Sequence, residues 1–343
     1  MGEKKRDSSI DAIKGLAIVL VMVGHVFVHN QMEDPYIYDF IKAVQMPLFM
    51  IVSGYLCGMG RKITDISSYG KVLKKRTLAY LVPFFSWLVL QHLNHLRLAF
   101  GRIFFELDYG LWFLAVLFIL TFMVYNAQFI SAIFGGKKKA GGELVFWSVY
   151  GLQCMVLVVQ IFMGNSLFSP YLTILYVPFY MLGYVAGNYG KQYFCWNQNI
   201  SGKIDCKNSR WIRRSMVAAG LALLYLTAAR NLNSMESKID IIIQMAASLF
   251  GSMAIIYGIF CLPEGKMKKF FAKIGNYTLE IYVIHYHFAN ILNFQQKAYD
   301  VYTVQGAMFV IGSFAAMSSI TFVLIRLMKK VKILDRLFFG KFS

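Results

Sequence analysis

Lys14 and His25 stand eleven residues apart in an apolar run, Ile10 to Val28, that reads IDAIKGLAIVLVMVGHVFV. A helix turns about 100° per residue, so these two side chains differ in direction by only about 20°. Asp11, Ile18, Met22 and His29 lie near the same face. The rise from Lys14 to His25 is about 16 Å, much of the hydrocarbon thickness of a bilayer. Ionisable groups inside a membrane helix are expensive and default to a functional role. One polar stripe therefore leads from a membrane surface toward the deep interior. Histidine suits general-base work there, because its ordinary pKa lies near neutrality. Asp11, one turn from Lys14, reads as the partner that fixes the lysine rather than as a catalyst.

A second set of polar residues lies late in the chain, in KIGNYTLEIYVIHYHF, which carries Glu280, His285 and His287. Glu280 and His287, seven apart, share a face, whereas His285 points roughly 140° from Glu280. A direct Glu280–His285 pair within one helix is thus not expected, and His285 is open to chemistry or to hydrogen bonding between helices. The second apolar run, FIKAVQMPLFMIVSGYLCG, offers Gln45 and Ser53 on the substrate side, with Pro47, Gly54 and Gly58 allowing a kink and close packing. Lys74, Lys75 and Arg76 form a basic collar that would suit a polyphosphate, although membrane topology alone explains basic loops equally well. Trp112, in LWFL, is either a substrate contact or an aromatic anchor. His92 and His95 have the spacing of a metal pair but no third ligand beside them, so no metal site is expected.

The elements that must position these groups are membrane helices. Of 343 residues 58% are hydrophobic and only 15% charged, against roughly 45–50% apolar in ordinary soluble domains. Ten apolar segments emerge, roughly 10–28, 41–59, 77–95, 111–130, 144–163, 170–188, 212–230, 239–261, 274–293 and 304–328. The expected fold is all-α and polytopic, with about ten transmembrane helices. It forms one membrane domain over 1–343, with a short arm, 1–9, and a tail, 329–343. The net charge of +18 could suggest nucleic acid, but its distribution says otherwise. Lysine and arginine crowd the arm, the connectors 60–76, 131–143, 189–211 and 262–273, and the tail. The opposite connectors hold only Arg97, Arg102, Arg230, Lys238 and Lys297. That alternation places both termini in the cytoplasm and excludes a nucleic-acid partner as its cause. Lys4, Lys5 and Arg6 before the first run, with no small-residue cleavage site after it, read as an uncleaved signal anchor. The odd set of five cysteines falls in spans or inner loops, so no structural disulfide is expected. Glycines 183, 187, 220, 251 and 258 read as helix-packing positions. The outer connector 96–110, alternating aromatic and charged residues, reads as a substrate lip or an interfacial segment.

IDAIKGLAIVLVMVGH, MPLFMIVSGYLCG, LWFLAVLF and GNYTLEIYVIHY, in that order between residues 10 and 286, resemble acyltransferase family 3. These are integral-membrane O-acyltransferases of bacterial surface sugars. The resemblance implies an acyl-CoA-dependent enzyme of ten helices in the inner membrane, using acetyl-CoA or another acyl-CoA as donor substrate and no permanently bound cofactor. It implies a carbohydrate or lipid-linked sugar as acceptor and His25 as the essential first-helix histidine. Where members carry an arginine eleven residues earlier, this chain has Lys14, which keeps the charge but not the bidentate fork for phosphate. The family's basic stretch falls on Lys74 to Arg76 and its late histidine on His285. The chain most resembles the stand-alone group acetylating or succinylating exopolysaccharide or lipid-linked sugars. On these residues acyl-CoA docks from the cytoplasm near Asp11, Lys14 and the collar, and His25 deprotonates the acceptor or carries the acyl group itself. Gln45, Ser53 and His285 are oxyanion candidates, and Trp112 and Glu280 lie on the substrate side. The alternative is a transporter or flippase for a sugar-lipid or polymer, but the inverted repeat that class often shows is not evident.

Overall fold

A computed structural model describes residues 7–32, 35–107, 110–136, 139–193, 216–217, 219–223, 238–293 and 297–342. The long elements are α1 (Ser8–His29), α2 (Pro35–Gly58), α3 (Ile66–Arg76), α4 (Val82–Gln91), α5 (Leu96–Ile103), α6 (Trp112–Phe134), α7 (Lys139–Phe162) and α8 (Pro170–Tyr193). Then follow α9 (Lys238–Cys261), α10 (Lys266–Gly275), α11 (Thr278–His285), α12 (Val304–Lys330) and α13 (Lys332–Phe339). Six of them, α1, α2, α6, α7, α9 and α12, are long and apolar enough to cross a membrane. The protein is all-α and polytopic, as its composition requires. The expected seventh span, 212–230, lies mostly outside the described residues; those described in it, 216–217 and 219–223, are helical.

Two expected spans take another form. The third, 77–95, is not a helix of its own: α3 runs through a π turn at Thr77–Leu81 straight into α4. The ninth, 274–293, is broken into α10, α11 and a 3-10 turn at Tyr286–Phe288. Its break at Asn276 and Tyr277 follows Gly275, where a close helix crossing dictates the chain's course.

The chain divides into two compact units, Met1–Val52 with Cys195–Leu327 and Ser53–Phe194 with Met328–Ser343. In the first, α1 is the central rod. Asp7 caps its start by accepting the Ser9 N–H at 2.9 Å. The Ser8 hydroxyl and Lys268 both reach Glu264, and these bonds hold its carboxyl below the usual carboxylate range. α1 crosses α10 with backbones in contact. A Cβ on Gly15 would collide with the Phe271 carbonyl, and one on Gly275 with that of Asp11. Farther along, Met22 and Val26 pack on Ala289 and Met317, while Leu20 packs on Ala43, Val44 and Ala247. Although apolar enough for lipid, α1 is thus mostly enclosed by protein.

In the second unit the end of α2 lies backbone to backbone against α8. A Cβ on Gly54 would strike the Tyr180 carbonyl, and one on Gly187 that of Tyr55. Gln153 of α7 donates to the Met123 carbonyl of α6 at 3.1 Å and accepts from Asn126 at 3.2 Å, an amide link between spans. Most of α7 otherwise presents apolar side chains outward, as a lipid-facing helix does. Gly258, expected to serve packing, faces open space instead. Cys57 and Cys154 are free thiols.

Candidate active site

The first unit brings α1 and the segment around α11 together at their histidines. The His25 and His285 ring centroids lie 5.1 Å apart and tilted by 55°. His29, one turn beyond His25, is 5.7 Å from it. The Tyr286 ring stands edge-on to both, at 5.2 Å from His25 and 4.6 Å from His29. Nδ1 of His285 is 2.8 Å from the Ile281 carbonyl. A carbonyl only accepts, so Nδ1 carries the proton and Nε2 holds a lone pair. That Nε2 is buried and has no partner, and the same is true of His25 Nδ1. An imidazole with a fixed tautomer and an uncommitted lone pair is a base held ready. In this tautomer His285 cannot donate to an oxyanion, which removes it from that set of candidates.

Asn30 fixes the meeting of these elements. Fully buried, it donates from Nδ2 to the Val26 carbonyl at 2.7 Å and to the Ala289 carbonyl at 2.9 Å. It thereby staples the end of α1 to the turn that follows His285. Gln45 of α2 lies against Gly24, the residue before His25, where a Cβ would come within 2.9 Å of its Oε1. That oxygen is buried without a partner. At the other end of α1, Lys14 and Asp11 form an ion pair at 2.6 Å. Glu280 is buried in α11.

The remaining expected residues belong to the second unit. Lys74 and Lys75 are exposed, whereas Arg76 turns inward. Its Nη1 donates to the Tyr80 hydroxyl at 3.1 Å, and Nε and Nη2 donate to the Tyr125 hydroxyl at 3.4 and 3.3 Å. Among the described residues no carboxylate forms an ion pair with it. The tyrosine oxygens accept these bonds; the Tyr125 hydroxyl also meets the Cys57 thiol, while the Tyr80 O–H is left to a further acceptor. Arg76 and Tyr80 therefore present donors around a positive charge that no carboxylate among the described residues pairs with, a setting for an anion. Trp112 stacks on Tyr176 at 5.6 Å, and Ser53 is half-buried on α2. Among the described residues no group of three or more His, Cys, Asp or Glu is arranged to hold a metal ion.

Sequence reasoning missed Asn30, Tyr80, Tyr125 and Tyr286. Asn30 reads as an ordinary helix end, and tyrosines in apolar runs carry no mark of their own. The spacing of Tyr80 four residues after Arg76 was the one available signal.

An all-α, multi-pass membrane protein with a close histidine pair, His285 buried and His25 partly so, is the class this fold and site define. Residues 7–326 match the family model described as an acyltransferase domain, and the chain belongs to acyltransferase family 3. It is also similar to the nodulation protein NolL of Sinorhizobium fredii (strain NBRC 101917 / NGR234), 30% identical over 95 residues. That stretch is 26% of this chain and 25% of NolL, so the match spans about a quarter of the relative's length. No solved structure matches the chain.

Proposed function

We propose that this protein transfers an acyl group, acetyl or succinyl, from acyl-CoA to a hydroxyl of a cell-surface or lipid-linked sugar, working in the inner membrane. The observation that carries the reading is the His25–His285 pair, two imidazoles with unpartnered buried nitrogens on the family's first and late helices. His25 takes the proton of the acceptor hydroxyl as its oxygen attacks the thioester carbonyl. The C–S bond then breaks, and the thiolate of coenzyme A leaves with that proton. His285, its Nε2 a lone-pair acceptor, supports His25 or the incoming hydroxyl. Gln45 and Ser53 are the remaining oxyanion candidates.

The cations for the donor's phosphates are not equivalent. Lys14 is already neutralised by Asp11, whereas Arg76, with no carboxylate paired to it among the described residues, donates to tyrosine hydroxyls and brings the planar fork that Lys14 lacks. Arg76 is therefore the principal phosphate anchor of the second unit, with its neighbours Lys74 and Lys75 supporting it. The test is transfer of radiolabel from acetyl-CoA, and separately from succinyl-CoA, to saccharide in native membrane extract by the protein in nanodiscs. Label in saccharide that depends on the protein supports the reading. Intact thioester with both donors would overturn it.

A further inference from the structure

Arg76 is the last residue of α3, and the five residues after it widen into a π turn whose last bond runs from the Val82 N–H to the Thr77 carbonyl. Such turns insert one residue into the helical ladder and concentrate at functional sites. The extra residue rotates everything beyond it by about 100° relative to a regular helix. A distortion of this kind needs support from outside, and here α13 supplies it. Gly340, just past α13, has φ +66, and the position of a Cβ there lies 2.8 Å from the Leu78 carbonyl oxygen and 2.7 Å from that of Ala79. The chain thus crosses the turn at two residues lying between Arg76 and Tyr80, where only glycine fits. One end of α13 is also capped from α4: the indole N–H of Trp87 donates to the Phe338 carbonyl at 3.1 Å, and the rings meet edge-on at 5.2 Å. Phe339 is fully enclosed at the same place.

We infer that α13 is a positioning element for the anion anchor, clamping the π turn so that the Arg76 guanidinium and the Tyr80 hydroxyl converge. The inference rests on the reading of Arg76 as the phosphate anchor. Trp87 and Gly340 touch no substrate; they act through the turn.

The experiment measures equilibrium binding of acetyl-CoA and of acetyl-pantetheine, which keeps the thioester and lacks the phosphates. It uses the full chain in detergent as wild type, Trp87→Phe, Gly340→Ala and Arg76→Ala, with each single clamp variant also combined with Arg76→Ala. Trp87→Phe keeps a ring against Phe338 and removes only the N–H, so it remains informative where Gly340→Ala does not fold. We expect each clamp variant to weaken acetyl-CoA about fivefold or more, to leave acetyl-pantetheine unchanged, and to add nothing once Arg76 is alanine. Equal losses for both ligands would overturn the inference, since α13 would then serve only the scaffold. Unchanged acetyl-CoA binding in both clamp variants, with a loss in Arg76→Ala, would overturn it while sparing the anchor. Unchanged binding in Arg76→Ala would bring down the anchor itself, and the clamp with it.

Discussion

At His285 the backbone decides which ring nitrogen can act. The Ile281 carbonyl, one turn earlier in the same helix, holds the Nδ1 proton and leaves Nε2 as a lone pair facing a buried space. His285→Gln keeps a polar group at that reach but has no comparable base. It is expected to lower kcat by about a hundredfold or more with KM for acyl-CoA little changed, measured as initial rates over a donor series. Much of this was legible beforehand, because a histidine in a lipid-spanning run needs a reason whatever lies around it. The partnership of His25 with His285 was not legible. Residues 260 positions apart meet only through tertiary packing, which the helical period of a single run does not encode. The orientation of Arg76 away from its two lysine neighbours was hidden for the same reason: three adjacent cations look alike until one finds tyrosines.

Elements bring these residues to their places by close contact of backbones and by a few buried amides. Gly15 and Gly275 let α1 and α10 touch, and after the break that follows Gly275 α11 carries His285 to His25. A sequence window of twenty residues sees only an apolar stretch there, so the ninth span read as one helix. Asn30 completes the alignment at the opposite end. Asn30→Leu removes both of its donated bonds and leaves the Ala289 carbonyl buried without that donor. We expect a loss of about 1–3 kcal/mol in stability, read as a lower melting temperature by intrinsic fluorescence, together with a fall in turnover. Loss of melting temperature with full turnover would show that the staple holds the fold without aligning the histidines.

For the whole molecule, composition and the distribution of charge carry most of the information. Six of the ten apolar runs become helices long and apolar enough to span, and α7 among them turns most of its apolar side chains outward, where lipid would meet them. The basic connectors predict that both chain termini lie in the cytoplasm. In intact cells Lys297→Cys should therefore react with a membrane-impermeant thiol reagent, and Lys62→Cys only after permeabilisation, each read above the baseline of the five native cysteines. The reverse pattern would invert the protein and set the donor phosphates on the wrong side. The central claim is that His25 does chemistry rather than hold structure. Its most direct test compares wild type with His25→Ala in nanodiscs, with radiolabelled acetyl-CoA and membrane extract as acceptor source, following binding and thioester loss separately. Both are expected to bind the donor, with thioester loss in His25→Ala slower by about a hundredfold or more. Undiminished thioester loss in the folded variant would contradict it.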